Sequence, residues 1–426
     1  MHAARRRLAA VIVSAFVAMW AGACQAPPGP EASPPRKALT PVDPTTGGAS
    51  AALQDPGEFG WTLFVFLSWP ALANERGVPD FDKQIGAPGP TVWETFKSTA
   101  DVYLTNGSMP APWNSPFVVA SQSPEWASAA AAVGSVDSPY LHYLSEATMI
   151  DGRQIVDSAA RIVQYEVRMN RDAFEYVVNN PSGFELFNLE GQEAALNDPA
   201  YTFNFPVPAI EVKAAWRILE PGVDDSRYWT SYGIYTDENG KAKLSKVGLT
   251  GLHIISKVLP DWLWVTFEQQ DNPTATFQFY EGQPGVAVGP NQTFNPAATA
   301  YNTKFQADLA GTKWQYYAIQ GWQTAFTDDN GQPTLFANTQ AETYFQSSSS
   351  CMTCHSLSSI GPPQTPRLTF WNTANGNVEG YTGKIDFQAV ARQQYPNATF
   401  KPMDYAWSFR NAHSTTGTTT SKGTRR

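Results

Sequence analysis

The segment Cys351-Met352-Thr353-Cys354-His355 constrains this chain more than any other feature of its sequence. Its spacing, C-x-x-C-H, is the attachment motif for c-type haem. The chemistry needs this order because the two thiols can each form a thioether with one vinyl group of a porphyrin, while the adjacent imidazole binds the iron. We therefore predict one covalent haem c per chain, attached at Cys351 and Cys354, with His355 as the proximal iron ligand.

A zinc site and a redox-active dithiol are the two other interpretations of this motif. A zinc site needs further ligands, and the one remaining cysteine, Cys24, lies next to the predicted leader. A redox dithiol is expected after a buried strand of a βαβ unit, whereas the polar run Ser347-Ser348-Ser349-Ser350 precedes this motif. The sequence therefore favours haem.

Residues 1–23 have the features of an export signal. Arginines at 5–7 are followed by an apolar stretch over 8–20 and by small residues at 21–23. The apolar stretch is too short for a comfortable transmembrane span. The run Ala-Gly-Ala-Cys resembles a bacterial lipobox, which predicts that Cys24 is the lipidated first residue of the mature protein. The alternative is an ordinary cleaved signal followed by an unmodified Cys24.

The segment 24–56 is predicted to be a tether between this lipid anchor and the folded chain. It is rich in Pro, Ala, Gly, Ser and Thr, a composition that cannot form a core. Gln25 is not the aspartate that commonly retains lipoproteins at the inner membrane. We therefore expect the protein on the periplasmic side of a bacterial membrane, with the outer membrane favoured.

Composition supports an exported, globular protein. The chain has 426 residues, enough for two or three domains, and only 3 cysteines, so lipid and haem leave none for a disulfide. Removing the leader removes three arginines and no acid, which changes the formal charge from -9 to -12. Such an acidic chain is not expected to bind nucleic acid.

The fold class predicted from the sequence is α+β. Apolar residues alternate with polar ones over 163–169 and 210–218, which is typical of half-buried strands. Asn239-Gly240 between two further strand patterns indicates a hairpin. We predict a large, mainly antiparallel β-rich domain over 57–337, a small helical cytochrome c-like haem region over 338–413, and a disordered tail over 414–426.

Two residues are candidates for the sixth iron ligand. Met403 follows the motif and directly precedes a helix predicted over 404–412. The order of short helix, C-x-x-C-H, loop, Met and C-terminal helix resembles the small monohaem cytochromes c, which makes Met403 the first candidate; its alternative is a packing residue. His253, on a predicted buried strand, is the alternative distal ligand, although a buried His is more often a hydrogen-bonded core residue.

Other residues offer weaker signals. Glu268 and Asp271 at a predicted strand end could act as acid and base near an open haem, but strand-end acids usually form turns or are solvated. His142 is expected at the surface or in a loop. No catalytic residue is therefore predicted.

Five segments carry a resemblance to a group of exported bacterial proteins, the uncharacterised cytochrome c family proteins. The matching segments, which fall between about 60 and 409, are Val92-Trp93-Glu94-Thr95-Phe96-Lys97, Gly251-Leu252-His253-Ile254, Trp262-Leu263-Trp264-Val265-Thr266-Phe267-Glu268, Glu342-Thr343-Tyr344 and Ser350-Cys351-Met352-Thr353-Cys354-His355-Ser356. Only the C-x-x-C-H part is specific about chemistry. The resemblance implies covalent haem at Cys351, Cys354 and His355, and it implies no substrate.

Three functions fit these features. The first is a lipid-anchored monohaem c-type cytochrome that transfers single electrons to or from a redox partner protein in the periplasm. The second is a haem enzyme of peroxidase or oxygenase type with an open sixth position. The third is a binding protein in which haem is structural. Whether the chain is an enzyme stays open at this point.

Overall fold

The computed structural model describes residues 42–43, 47–115, 142–144, 146–147, 149–150, 153–156, 163–237, 239, 241–272, 275–278, 286–288, 295–342, 348–372 and 379–416. The predicted leader, Cys24, Gly240 of the predicted hairpin and most of the predicted tail lie outside these residues. No helix within the described ranges is long and apolar enough to cross a membrane.

Helices occur along the whole described part of the chain. The α-helices are α1 (Gly48–Gln54), α2 (Pro56–Leu67), α3 (Thr99–Val102), α4 (Arg171–Val178), α5 (Leu189–Asn197), α6 (Ala298–Asp308), α7 (Cys351–Ser356) and α8 (Phe387–Gln394). Short 3-10 helices cover Trp93–Thr95, Lys313–Tyr316 and Trp407–Asn411. Helix α1 lies inside the segment 24–56 that was predicted to be a tether.

A nine-stranded sheet forms the centre of the fold. Its main path runs in the order β1, β6, β7, β9, β10, β13, with β3 on β6, β8 on β9 and β2 on β8. Its strands are β1 (Lys97–Ser98), β2 (His142–Leu144), β3 (Glu146–Ala147), β6 (Gln164–Met169), β7 (Ile210–Ile218), β8 (Thr230–Thr236), β9 (Ala242–Ser256), β10 (Leu263–Gln269) and β13 (Tyr317–Gln323). All of its pairs are antiparallel except β2 with β8.

Three smaller sheets complete the strand content of the described residues. One has the order β12, β11, β5, β4, and two others are the pairs β14 with β17 and β15 with β16. Their strands are β4 (Met149–Ile150), β5 (Arg153–Val156), β11 (Ala275–Gln278), β12 (Val286–Val288), β14 (Ser359–Ile360), β15 (Trp371–Asn372), β16 (Glu379–Gly380) and β17 (Lys401–Pro402).

The alternating pattern predicts the positions of two central strands correctly, but it does not predict how deeply they are buried. Strands β6 and β7 form where alternation predicted them, and the expected hairpin is the pair β8 and β9. The prediction that β6 is half-buried is wrong, because Glu166 and Arg168 on its second face are 2 % and 1 % exposed. That face covers a buried charged cluster described below, so both sides of the sheet are enclosed at this point.

Helix α2 packs on the central sheet and begins at a well-formed cap. The Asp55 side chain accepts a hydrogen bond from the Glu58 amide, and Pro56 occupies the first helical turn, where its missing N–H has no cost. Phe64 stacks on Phe267 of β10 with ring centroids 4.0 Å apart. The nearly continuous apolar run that begins at Trp61 fits a buried helix or a buried strand by its pattern, and in the structure it belongs to the buried helix α2.

The C-terminal segment shares the core of the sheet. Met352, Met403 and Phe409 are buried in the same apolar cluster as Trp61 and Phe267, while a second cluster forms around Phe400. The described residues belong to one compact unit that spans 38–426.

The helix predicted over 404–412 is wrong. Asp404 and Tyr405 have φ values of 46° and 68°, which are incompatible with a right-handed helix. In this segment the structure has only the 3-10 helix Trp407–Asn411. The fold is thus mixed α+β with a large β-rich sheet, as predicted. A small helical cytochrome c-like region over 338–413 is not confirmed.

Candidate functional site

A cavity of about 290 Å³ lies between the central sheet and the C-terminal segment. Strands β6, β7, β9 and β10 line one side, and α7 with parts of 336–349 and 407–411 lines the other. Much of the lining is apolar and aromatic. The side chains of this kind include Val167, Val212, Ile255, Trp264, Phe336 and Phe370. A cavity with a mostly apolar lining and a few polar groups is typical of ligand and cofactor sites.

The C-x-x-C-H motif forms a wall of this cavity. Cys351, Cys354 and His355 all line it, and both cysteines are free thiols. They share one face because side chains three and four residues apart are neighbours on a helix, and the motif is the helix α7 itself. Met352, on the other side of α7, is buried in the main core. The two thiols and the imidazole therefore converge on one space.

Helix α7 is fastened to the sheet by Gln323, at the end of β13. The Gln323 amide donates to Ser350 Oγ at 2.9 Å, and its oxygen accepts from the Met352 amide at 3.0 Å. Ser350 is also the N-cap of α7 and accepts from the Thr353 amide. Gln323 is 2 % exposed, so these bonds form away from water. Sequence reasoning missed this residue, since an isolated Gln carries no signal.

The ring of His355 is oriented by the backbone. Its Nδ1 donates to the carbonyl oxygen of Tyr405 at 2.8 Å, which leaves Nε2 as the nitrogen that can bind a metal. The tautomer is inferred from this bond, because a carbonyl oxygen can only accept. Burial lowers the pKa of His355 to about 4, and the bond to Tyr405 opposes the change. The imidazole is thus neutral at neutral pH, as a metal ligand must be.

The two thiols are protonated in this environment. Burial raises the pKa of Cys354 to about 12 and holds that of Cys351 well above its usual value, and the nearby Glu342 carboxyl adds to both increases. Neither cysteine is therefore a reactive thiolate of the redox-dithiol kind. The alternative interpretation as a redox pair loses support.

The structure brings His253 to the same cavity. Its neighbours across the sheet are Lys213 of β7 and Thr266 of β10, and the register places His253, Lys213 and Val167 in one row that faces the cavity. His253 Nε2 is buried and has no hydrogen-bond partner among the described residues. Burial and the nearby Lys213 charge lower the pKa of His253 to about 3, so this imidazole is also neutral.

An unpartnered buried nitrogen is uncommon and needs an explanation. The nearest acceptor to His253 Nε2 is Glu342 Oε2, at 4.0 Å, which is beyond hydrogen-bond distance. Glu342 instead accepts from the Asn338 amide at 2.7 Å, and burial raises the pKa of its carboxyl to about 7. A metal ligated by His253 would satisfy this nitrogen.

Met403 lies elsewhere. It is fully buried but does not line the cavity, and its sulfur accepts from Arg367 Nη1 at 3.1 Å. Its amide donates to the Ser358 carbonyl at 2.8 Å, which fixes the backbone beside the pair of β14 and β17. Of the two candidate sixth ligands, the structure places only His253 with the motif.

Glu268 and Asp271 have structural partners. Glu268 is fully buried on β10, accepts from the hydroxyl of Thr339 and does not line the cavity. It ties the segment before the motif to the sheet. Asp271 accepts from Arg227 Nε at 2.8 Å near the surface. The acid-base role near haem, which was only the weaker alternative for these residues, has no geometric support, and Glu268 is buried rather than solvated.

A second cluster of charged groups is buried beneath the other face of the sheet. His142 lies between Glu166 and Glu94, with Nδ1–Oε1 and Nε2–Oε1 distances of 2.5 and 3.1 Å, and Arg168 Nε donates to Glu166 at 2.8 Å. Trp216 Nε1 also donates to Glu166, at 3.0 Å. The prediction that His142 is a surface or loop residue is therefore wrong, because two carboxylates satisfy it inside the fold.

The residues at the cavity fit a covalent haem. The site offers two free thiols on one helical face, an imidazole whose Nδ1 is already bonded, a second imidazole with an unpartnered Nε2, and an apolar lining. Within the described ranges no group of three or more His, Cys, Asp or Glu side chains could hold a metal by itself. A porphyrin would supply the remaining ligands of an iron.

Comparisons with protein-family models, with curated proteins and with solved structures gave no match for this chain.

Proposed function

We propose that the chain is an exported c-type cytochrome with one covalent haem, attached at Cys351 and Cys354 and bound by His355, which transfers single electrons. The observation that carries this proposal is the shared cavity. Both thiols and His355 line it, and so does the unpartnered Nε2 of His253. His253 lies about a hundred residues before the motif, so its presence in the same cavity is an observation independent of the motif.

We infer that His253, rather than Met403, is the sixth ligand. Both histidines are neutral at neutral pH, and among the described residues neither Nε2 has a hydrogen-bond partner. Met403 does not line the cavity, and its sulfur accepts a hydrogen bond from Arg367. If His355 and His253 both held the iron, no iron position would be left for a substrate, which would favour electron transfer.

The protein groups around the site would bind and shield the cofactor. When bound, a haem supplies a one-electron iron couple. The apolar side chains of the lining exclude water, which stabilises the less charged oxidation state. Trp264 packs against the ring of His355 with centroids 4.6 Å apart and limits its rotation. Lys213 and Arg410 also line the cavity and could offset the charge of haem carboxylates.

The decisive experiment is to produce the full chain in a bacterial host that has a cytochrome c maturation system. We expect a coloured protein whose porphyrin stays with the polypeptide after denaturation, and an intact mass that includes one haem. The matched variant Cys351→Ala/Cys354→Ala should lose the covalently bound porphyrin. A colourless wild-type protein that lacks a Soret band would overturn the proposal.

A haem enzyme with an open sixth position is the second candidate function. It is favoured by one arrangement: Glu342 Oε2 lies 4.0 Å from His253 Nε2, and the pair could move a proton through one bridging water if His253 did not bind the iron. Spectra separate the two candidates. A low-spin ferric state supports electron transfer, whereas a high-spin ferric state that binds cyanide readily supports an enzyme.

We also propose that the protein is lipid-anchored at Cys24 and faces the periplasm, where a redox partner protein would meet it. The support is the sequence of the leader together with the requirement that haem c is attached after export. Cys24→Ser should release the protein from the membrane fraction without loss of haem. Retention of Cys24→Ser in the membrane fraction would contradict the anchor.

A further inference from the structure

The turn that presents its carbonyl to His355 has an unusual backbone. Asp404 and Tyr405 both lie in the left-handed region, with φ of 46° and 68°, and the Ala406 amide bonds to the Met403 carbonyl across them at 3.1 Å. Two successive positive φ values are typical of a type I′ turn. A bulky residue such as Tyr is rarely found there, so the surrounding contacts must hold it.

Three groups from the β-rich part of the chain hold this turn. Lys257 Nζ pairs with Asp404 Oδ1 at 2.6 Å, and the Phe205 amide donates to Asp404 Oδ2 at 2.6 Å. Trp262 Nε1 donates to the Asp404 carbonyl at 3.0 Å. The side chains of Lys257 and Asp404 are 5 % and 7 % exposed, so this ion pair is screened little by solvent.

The turn fixes the direction of the Tyr405 carbonyl. With Tyr405 in the left-handed region, its oxygen points at His355 Nδ1 and accepts from it at 2.8 Å. On the far side, Ser358 Oγ donates to the Ala406 carbonyl at 2.7 Å and ties the turn to the end of α7. Both ends of the turn are therefore attached to groups of fixed position.

We propose that the Asp404–Tyr405 turn, held by Lys257, is a positioning device that fixes the imidazole of His355 and thereby sets the reduction potential of the haem. This inference rests on the proposed function. A hydrogen bond at Nδ1 raises the basicity of a ligating imidazole. A more basic imidazole favours the ferric state and lowers the potential, so loosening the turn should raise it.

The proposal predicts which residues matter and how. Asp404 and Lys257 act through one ion pair, so they are expected to affect the potential as a unit. Neither lines the cavity. A purely structural role would change stability alone, whereas a positioning role moves the potential of a protein that is fully folded and loaded with haem.

The test is redox titration of the full-length holoprotein and of Asp404→Asn, Lys257→Met and the double variant. We expect each single substitution to shift the ferric-to-ferrous equilibrium by a factor between about three and ten, and to raise the potential by up to about 59 mV for a one-electron couple. The double variant should match the larger single effect. Lys304→Met, which breaks the exposed Lys304–Glu58 pair with Nζ–Oε2 of 2.6 Å, is the matched control and should leave the potential unchanged.

Failure of this inference differs from failure of the proposed function. If the wild-type protein holds no covalent haem, the function is wrong. If haem is attached but the potentials of Asp404→Asn and Lys257→Met equal those of the wild type and of Lys304→Met, the positioning role is overturned. If these variants do not bind haem, NMR of the wild-type holoprotein provides the test. Slow exchange of the His355 Nδ1 proton with solvent supports the positioning role, and fast exchange overturns it.

Discussion

The indole ring of Trp264 and the imidazole ring of His355 lie with centroids 4.6 Å apart and planes inclined by 60°. Trp264 belongs to β10 of the central sheet, and His355 belongs to α7. The only chemically specific motif of the sequence is thus packed directly on the largest structural element of the fold. Changes in the sheet should therefore reach the proposed iron ligand.

His253→Ala should change the spin state of the iron. If His253 is the sixth ligand, its removal leaves an open or water-filled position, and the ferric protein becomes high-spin. Electron paramagnetic resonance of the ferric state measures this change.

Met403→Leu is the matched control for His253→Ala, since it removes the sulfur of the other candidate ligand with little change in side-chain volume. It should leave the low-spin signal intact. A low-spin signal that survives His253→Ala and disappears in Met403→Leu would reverse the assignment.

Gln323→Ala should destabilise the protein and loosen α7. The substitution removes four hydrogen bonds of a buried side chain, to Thr334 (oxygen and hydroxyl), Ser350 and the Met352 amide. Leaving such partners unsatisfied costs about 2–4 kcal/mol of unfolding free energy. Urea unfolding of Gln323→Ala and of the wild-type protein measures this difference in unfolding free energy.

The control for Gln323 is Gln315→Ala, on the 3-10 helix Lys313–Tyr316. Gln315 makes a single hydrogen bond, to the Thr312 carbonyl at 2.9 Å, and is partly exposed. Its loss should cost less than about 1 kcal/mol. Equal costs for the two variants would show that Gln323 does not fasten α7.

Stability should fall on both sides of an intermediate pH because of the His142 cluster. Burial alone would raise the pKa of Glu166, but Arg168 and His142 outweigh it, and the pKa falls from 4.5 to about 2. The stability that Glu166 contributes is complete above pH 4.5 and is lost as the pH falls toward about 2. Urea unfolding of the wild-type protein across this range should show the decrease.

The loss of stability at alkaline pH is expected from the titration of His142. Burial lowers its pKa, but the carboxylates of Glu166 and Glu94 outweigh burial, so that the pKa lies above 6.5. The stabilisation is therefore complete below pH 6.5 and is lost as the pH rises through the raised pKa of the folded state. The same unfolding series, extended to alkaline pH, measures this loss.

Glu166→Gln tests the cluster directly. Removing one partner of a buried pair should cost about 3–5 kcal/mol near pH 6 and should flatten the acid limb of the stability profile. Arg171→Gln breaks only the exposed Arg171–Glu175 pair and should cost less than about 0.5 kcal/mol. An unchanged acid limb in Glu166→Gln would mean that other carboxylates cause the loss.

Gly361→Ala should destabilise the smaller core. A Cβ at this position would lie 2.5 Å from a ring carbon of Phe400, which is 2 % exposed. Overpacking of this kind costs about 1–3 kcal/mol. Thermal or urea unfolding measures the cost.

Phe400→Leu makes room beside the new methyl group and provides the control. The double variant should lose less stability than the sum of the two single variants, because they share one contact. Strict additivity would show that Gly361 does not need its small size for this contact.

Several elements were predictable because their signals are local. The alternation over 163–169 and 210–218 gave β6 and β7, and the spacing of Cys351 and Cys354 gave the candidate site. The helix predicted over 404–412 failed for a non-local reason. Lys257, Phe205 and Trp262 hold Asp404 and Tyr405 in a conformation that their own sequence does not favour.

The sequence by itself determined strands β6 and β7, the β8–β9 hairpin and the spacing of the motif, because each depends on neighbours within a few residues. Only the tertiary structure decided that His253 lines the same cavity as Cys351, that Met403 does not, and that Glu166 is buried against His142. These relationships depend on strand register and on packing between distant segments, and a shift of one residue in register would turn His253 to the other face of the sheet.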